Sequence, residues 1–184
     1  NEASNYEDIL KKYNLQKKEY VVAIGRFVKE KGFHDLINAY SLLKTNFKLV
    51  LVGDADHEDQ YSKYLKALAK EKQVILTGFL SGESLKAVFM NARLFVLPSY
   101  HEGLPIVLLE AMSYNLDVLV SNIPANLEVP LEEDDFFKVG DIDDLSIKLQ
   151  KKLELTKERD FIQIIANLYN WDKIAEQIFT IYKT

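Results

Sequence analysis

Two kinds of apolar run alternate along this chain. Short uninterrupted runs occupy Tyr20–Ile24, Phe47–Val52, Val74–Thr77, Leu94–Leu97 and Asp117–Ser121, and the first four stop at Gly25, Gly53, Gly78 and Pro98. Such runs, rich in Val, Ile and Leu and closed by turn residues, predict buried strands. Between them the apolar positions recur every three to four residues, the period of a helix with one buried face. Phe33, Leu36, Ile37, Tyr40 and Leu43 mark a helix over Phe33–Lys44, and Tyr61, Tyr64, Leu65 and Leu68 mark one over Glu58–Lys72. Ser84–Asn91, with Ser81 or Gly82 near its start, and Pro105–Tyr114 read the same way. Residues 6–14 predict a lead-in helix and Phe136–Val139 a short edge strand. Closing helices are expected over Ile142–Leu155, 158–168 and Trp171–Tyr182. Strands alternating with helices give an α/β fold, a Rossmann-like parallel sheet covered by helices on both faces. No repeat, low-complexity tract or internal linker divides the chain, so one domain over residues 1–184 is expected, with residues 1–18 as its lead-in.

Composition narrows the chemistry. A length of 184 residues suits one domain with a full core. The net charge of -5 weighs against duplex nucleic acid as a partner, which calls for a basic face, but a few local cations still suffice for a small anion. There is no cysteine, which excludes disulfides and thiolate metal sites. No signal peptide is evident and no apolar run approaches the roughly 20 residues needed to cross a bilayer, so a cytoplasmic location is expected. The polar opening Asn1–Asp8 without an initiator methionine suggests a piece of a larger protein.

The most informative segment follows the strand Leu94–Leu97. Glu102-Gly-Leu-Pro-Ile-Val-Leu-Leu-Glu110 places a carboxylate and a glycine in a loop, starts a helix at a proline, and sets a second carboxylate among apolar residues. In α/β sheets ligands bind beyond the carboxyl ends of strands, where helix N-termini attract anions. Two carboxylates there suit hydroxyl groups held on either side of a phosphate. A helix rises about 1.5 Å per residue, so Glu110 lies roughly 7 to 8 Å beyond Pro105, the separation of a ribose and a hexose across a diphosphate. Glu110 equally suits a wet stripe with Ser113 and Tyr114 or a partly buried position that needs a hydroxyl or cation partner, and Glu102 suits an exposed loop carboxylate.

The loop Gly25-Arg-Phe-Val-Lys-Glu-Lys-Gly32 has neither Walker nor dinucleotide glycine spacing, which argues against an ATPase or hydride transfer to NAD. It offers Arg26 and Lys31, a bidentate and a point-charge partner for phosphate, although loop cations are commonly just solvated. His34, His57 and His101 show no ligand spacing, so no metal site is expected; His101 adjoins Glu102 and is a candidate ligand contact. The acidic group Asp54, Asp56, Glu58 and Asp59 is accounted for by helix N-capping. No nucleophile–base arrangement is evident. Trp171, Phe179 and Tyr182 suit packing.

Together these residues resemble the C-terminal, donor-binding domain of retaining GT-B-fold glycosyltransferases of family 4, also called glycosyl transferases group 1. The resemblance runs over nearly the whole chain. Gly25-Arg26 to Lys31-Gly32, with four residues between the two cations, resembles the family's Gly-Arg…Lys-Gly loop. Leu49–Asp54 and Val74–Phe79 resemble its second and third strands, and Pro98-Ser99 with Glu102 and Glu110 its Pro-Ser and Glu-x7-Glu signature. Asn170-Trp171 and residues 170–184 resemble its C-terminal crossover helix.

The resemblance implies that Arg26 and Lys31 bind the donor diphosphate, that Glu102 contacts donor-sugar hydroxyls, and that these three are the catalytic set. It implies that the backbone around Gly25, Gly103 and Leu104 meets the donor, that Glu110 holds the ribose, and that Gly78, Phe79 and Leu80 lie near the base. It further implies a UDP- or GDP-linked hexose as substrate, no metal or other cofactor, an N-terminal acceptor domain outside this chain, and peripheral membrane association of the full-length enzyme in polysaccharide biosynthesis. Three departures bear on local geometry: Asn115-Leu-Asp117 replaces Gly-x-Pro, Gly53-Asp54-Ala55-Asp56 lacks a second glycine, and Ala125-Asn126 replaces the glycine before Glu128. A non-catalytic partner module on the same fold and a related nucleotide-sugar epimerase are the alternatives; a phosphorylase would need a pyridoxal-lysine context that is not evident.

Overall fold

A computed structural model describes residues 2–155 and 159–168. Six strands, β1 (Tyr20–Ile24), β2 (Lys48–Val52), β3 (Ile75–Leu76), β4 (Leu94–Leu97), β5 (Asp117–Ser121) and β6 (Phe136–Phe137), form one sheet. Their order is β3-β2-β1-β4-β5-β6, with every neighbouring pair parallel. The helices are α1 (Glu2–Lys12), α2 (Phe33–Ser41), α3 (Gln60–Glu71), α4 (Gly82–Met90), α5 (Ile106–Ser113), α6 (Pro124–Leu127), α7 (Ile142–Glu154) and α8 (Phe161–Leu168). Strand order reverses direction between β1 and β4, which opens a crevice at their carboxyl ends.

The period-two alternation of the strands divides the core into two layers. Val22, Val50, Phe95, Leu97, Val118 and Val120 pack on one face with Leu108 and Met112 of α5. Val21, Ala23, Leu49, Leu51, Val96 and Leu119 pack on the other with Leu36, Ile37 and Leu149 of α2 and α7. Strand residues apolar on both faces are what a covered parallel sheet requires. No helix among the described residues is long and apolar enough to cross a membrane.

Several boundaries differ from the sequence expectation, each for a local reason. β3 starts late because the amide of Val74 bonds back to Ala69 at the end of α3, 2.8 Å away. β6 stops at Phe137 because two amides leave the ladder for side chains: Lys138 donates to Asp144 at 2.7 Å and Val139 to Asn122 at 2.9 Å. α2 ends at Ser41 rather than Lys44, its last carbonyls taken by the tightened turn at Leu42 and Leu43. The one-turn helix α6 and the 3-10 turns Lys29–Lys31 and Glu133–Asp135 are too short for periodicity to reveal. The expected helix over Trp171–Tyr182 and the crossover residues 170–184 lie outside the described residues.

At the amino end of β5 the unusual Asn115-Leu-Asp117 acquires a structural reason. Asn115 adopts φ of 55°, a conformation in which Asn is one of the better-tolerated non-glycine residues. Its side chain accepts from the Phe161 amide at 2.9 Å and donates to the Arg159 carbonyl. Asp117 then enters a buried ionic group, with Lys152 at 2.8 Å and Arg159 at 2.9 Å from one carboxylate oxygen. Asp135 joins the same two cations, 2.5 Å from Lys152. These contacts tie α7 and the start of α8 to the sheet.

Candidate functional site

Backbone packing at the carboxyl ends of the strands shapes the site first. The Gly25 amide bonds the Val52 carbonyl at 3.0 Å, and the Gly53 amide bonds the Gly78 carbonyl at 2.9 Å. Gly53 has φ of 133°, and a Cβ there would stand 2.0 Å from the Gly25 carbonyl oxygen. Only glycine permits that conformation and that approach. The same holds for Gly32, at φ of 65°, where a Cβ would lie 2.1 Å from the Pro98 carbonyl oxygen. The loop after β1 is thereby pressed onto the end of β4, bringing residues 71 positions apart into contact.

That contact joins Lys31 and Glu102. Lys31 Nζ stands 2.7 Å from Glu102 Oε1, and the two side chains are only 20% and 10% exposed. Ser99 Oγ donates to the same carboxylate oxygen at 2.6 Å. Behind it, Ser121 Oγ donates to the Ser99 carbonyl at 2.6 Å and Asn126 Nδ2 to the Ser121 carbonyl at 2.9 Å. Glu102 is therefore oriented by a polar chain running from the ends of β4 and β5. Pro105 stands at the N-cap and α5 begins at Ile106, so the positive end of that helix lies a few residues beyond Glu102.

Arg26 takes another partner. It is exposed between Gly25 and the buried Phe27, and its guanidinium meets Asp56 Oδ2 at 3.1 Å. This corrects the assignment of the acidic cluster to helix capping. Only Asp59 caps α3, in a reciprocal box with Ser62, which holds its carboxyl below the usual carboxylate range. Asp54 instead pairs with Lys66 at 2.8 Å, which lowers it likewise, and Asp56 pairs with Arg26.

The second glutamate makes separate contacts. Glu110 is half-buried on α5, and Tyr114 donates a long 3.3 Å hydrogen bond to its Oε1. Burial, reinforced by the Glu110 charge, holds the Tyr114 hydroxyl above its ordinary pKa. Glu110 is thus partly buried with a hydroxyl partner, the second of the two expectations, and not on a wet stripe. Of the remaining candidates, Gly78 closes the end of β3, Phe79 is 62% exposed, and Leu80 packs partly against the core. His101 and Gly103 are exposed, and so is Leu104. Among the described residues no group of three His, Asp or Glu side chains gathers as a metal ligand set.

Composition and spacing assign no site role to Ser99, Ser121, Asn126 or Asp56, although Ser99 and Asn126 stand in stretches compared with the family. Small polar residues at the ends of buried strands carry little periodic signal, and Asp56 lay within a cluster that capping explained. A groove of about 440 Å³ between α1 and Met90–Asn91 lies near the amino end of β1 and holds none of these residues.

The glycosyl transferases group 1 family matches residues 5–171 of the chain. An uncharacterized glycosyltransferase of Methanocaldococcus jannaschii is 29% identical over 172 residues, 89% of this chain and 44% of that protein. The O-antigen chain mannosyltransferase B of Escherichia coli is 28% identical over 186 residues, 95% of this chain and 48% of that protein. The chain thus spans about half the length of the curated relatives it matches. The solved catalytic domain of cholesterol-alpha-glucosyltransferase from Helicobacter pylori superposes with a TM-score of 0.68 at 28% identity, covering 84% of this chain and 99% of that one.

Proposed function

The chain belongs to the glycosyl transferases group 1 family, and from that premise we propose that it is the donor-binding part of a retaining enzyme that moves a hexose from a nucleoside diphosphate sugar to an acceptor hydroxyl. The observation that carries this is the Lys31–Glu102 contact at the β1–β4 crevice. A cation suited to phosphate and a carboxylate suited to sugar hydroxyls stand side by side at the amino end of α5. In this reading the diphosphate displaces Glu102 from Lys31 and Asp56 from Arg26, and both cations then face its oxygens. As the bond from the anomeric carbon to the β-phosphate oxygen breaks, the two cations offset the charge growing on the departing nucleoside diphosphate. The electron pair of the broken bond leaves on the phosphate oxygen, and the acceptor oxygen closes the new bond on the same face. The acceptor's proton is handled outside the residues named here.

Glu102, freed from Lys31 but still held by Ser99, accepts hydroxyl hydrogens of the hexose. Glu110 accepts from the ribose, and the Gly78–Leu80 turn borders the base. The positive charge comes from the two side chains, so no metal ion is assigned. The mannosyl- and glucosyltransferase names among the relatives support a hexose. Their greater length supports a second, acceptor-binding domain in the whole protein. Calorimetric titration with UDP, GDP and ADP and their hexose conjugates tests this. Binding of one nucleotide series is expected; no binding by any of them would overturn it.

A further inference from the structure

Two residues that neither the signature motifs nor the donor contacts include connect to the same loop. Tyr100 lies between Ser99 and Glu102, and its amide donates to the Glu30 carbonyl at 2.8 Å. Its hydroxyl donates to Asp35 Oδ2, in the first turn of α2, at 2.5 Å. Its ring stacks on His34, with planes 7° apart and centroids 6.1 Å apart. The far edge of the ring is close to Gly140, where a Cβ would come within 3.2 Å of the hydroxyl. His34 is in turn fixed by Tyr61, 2.9 Å from its Nδ1. Asp35 is buried, 7% exposed, and His34 Nε2 stands 3.5 Å from its other oxygen.

Besides the His34 stacking and the Tyr100–Glu30 backbone bond, two polar side-chain bonds join the segments 29–35 and 98–102. One is the Lys31–Glu102 pair and the other is the Tyr100–Asp35 bond. The first cannot persist while Lys31 faces a diphosphate and Glu102 faces a sugar. The second uses no donor-facing group. Asp35 holds the Tyr100 hydroxyl well above the usual tyrosine pKa, at about 12, so the hydroxyl keeps its proton and remains the donor at neutral pH. Loss of a partly buried hydrogen bond of this kind generally alters an equilibrium by a few-fold to about ten-fold.

We propose that Asp35 and Tyr100 are positioning residues that hold the Glu102 loop in register with the Lys31 turn once the donor has parted Lys31 from Glu102. This rests on the donor-binding function proposed above. The strut acts on the hexose half of the donor, because Glu102 contacts the sugar while Lys31 contacts the phosphates. It therefore governs the extra affinity that the hexose adds to the nucleoside diphosphate, and leaves the nucleoside diphosphate itself largely alone.

Calorimetry on the 184-residue chain separates the possibilities. The Kd for the bound nucleoside diphosphate and for its hexose conjugate would be measured in wild type, Y100F, D35A, D35N and Y100F/D35A. Wild type is expected to bind the conjugate more tightly, and Y100F and D35A to reduce that advantage by about three- to ten-fold. D35N, whose amide oxygen still accepts from Tyr100, is expected to retain most of it. The double variant should lose no more than either single one, since both remove the same bond. Equal Kd ratios in wild type and Y100F, or additive losses in the double variant, would overturn the strut while leaving donor binding intact. Failure of wild type to bind any nucleotide sugar would overturn the donor-binding function and the strut with it. Y100F takes one donor from the buried Asp35 carboxylate, so a melting temperature lower by a few degrees is expected, and Kd ratios measured well below that transition separate positioning from loss of fold.

Discussion

Lys31 and Glu102 neutralise each other across 2.7 Å, so the two groups assigned to opposite halves of the donor form one pair. Donor binding must exchange this contact for two new ones. Glu102→Gln keeps a hydrogen-bonding side chain beside Ser99 but no longer competes for Lys31. The expected outcome is a split: affinity for the nucleoside diphosphate rises about three-fold, while the added affinity from the hexose falls. Paired titrations measure both. A parallel loss of both affinities would contradict the exchange.

Asp56 competes for Arg26 in the same manner, but from solvent, with side chains 62% and 58% exposed. Exposed pairs contribute little and salt screens them. Asp56→Asn is therefore expected to tighten nucleoside diphosphate binding by no more than about two-fold at low salt, and to have no effect near 0.5 M salt. A larger, salt-independent gain would place Asp56 deeper in the site than its exposure indicates.

Gly32 sets the approach of the two loops. Gly32→Ala combines a φ of 65° with a Cβ placed 2.1 Å from the Pro98 carbonyl oxygen. Relief requires moving the segment that carries Glu102. Destabilisation of more than about 1 kcal/mol is expected, together with loss of donor binding. Chemical denaturation and calorimetry on the same preparation check both.

The buried ionic group at the amino end of β5 serves stability. Arg159→Leu leaves Asp117 and Asp135 sharing Lys152 alone, 2.8 and 2.5 Å away. Breaking such a group generally costs about 3 to 5 kcal/mol, or roughly 10 °C in melting temperature for a domain of this size. Nucleotide affinity, measured well below the transition, should remain within about two-fold of wild type because the group stands at the opposite end of β5 from Ser121.

Acid sensitivity follows from the helix caps. Asp59 and Asp141 accept the amides of Ser62 and Asp144, which lowers both carboxyls below their ordinary value of 3.8. A depressed folded-state value means the capping contribution is present above the unfolded value and fades as pH falls through the folded one. Stability should therefore begin to drop below about pH 4. Asp59→Asn, which still caps but does not titrate, should flatten part of that loss in melting scans from pH 2 to 6.

Strand positions were legible because continuous apolar runs ending at Gly25, Gly53 and Gly78 admit few alternatives; Arg26, Lys31 and Glu102 stood out only as candidates beyond strand ends, and their roles came with the family resemblance. The partners of those residues were not. Whether Lys31 touches Glu102 depends on the Gly32–Pro98 approach, a long-range packing fact with no periodic signature. Asp56 and Asp59 look alike in sequence; only the start of α3 decides that one caps and the other meets Arg26. Tyr100 and Asp35 were silent because each suits an ordinary surface or helix-start position until the fold sets them 2.5 Å apart.

The most direct test of the central claim is a crystal structure of this chain with the nucleotide sugar that calorimetry selects. The diphosphate is expected within hydrogen-bonding distance of Arg26 and Lys31, a hexose hydroxyl on Glu102, and the 2.7 Å Lys31–Glu102 contact opened. A ligand bound elsewhere, or a donor seated in the crevice with Lys31 still on Glu102, would contradict it.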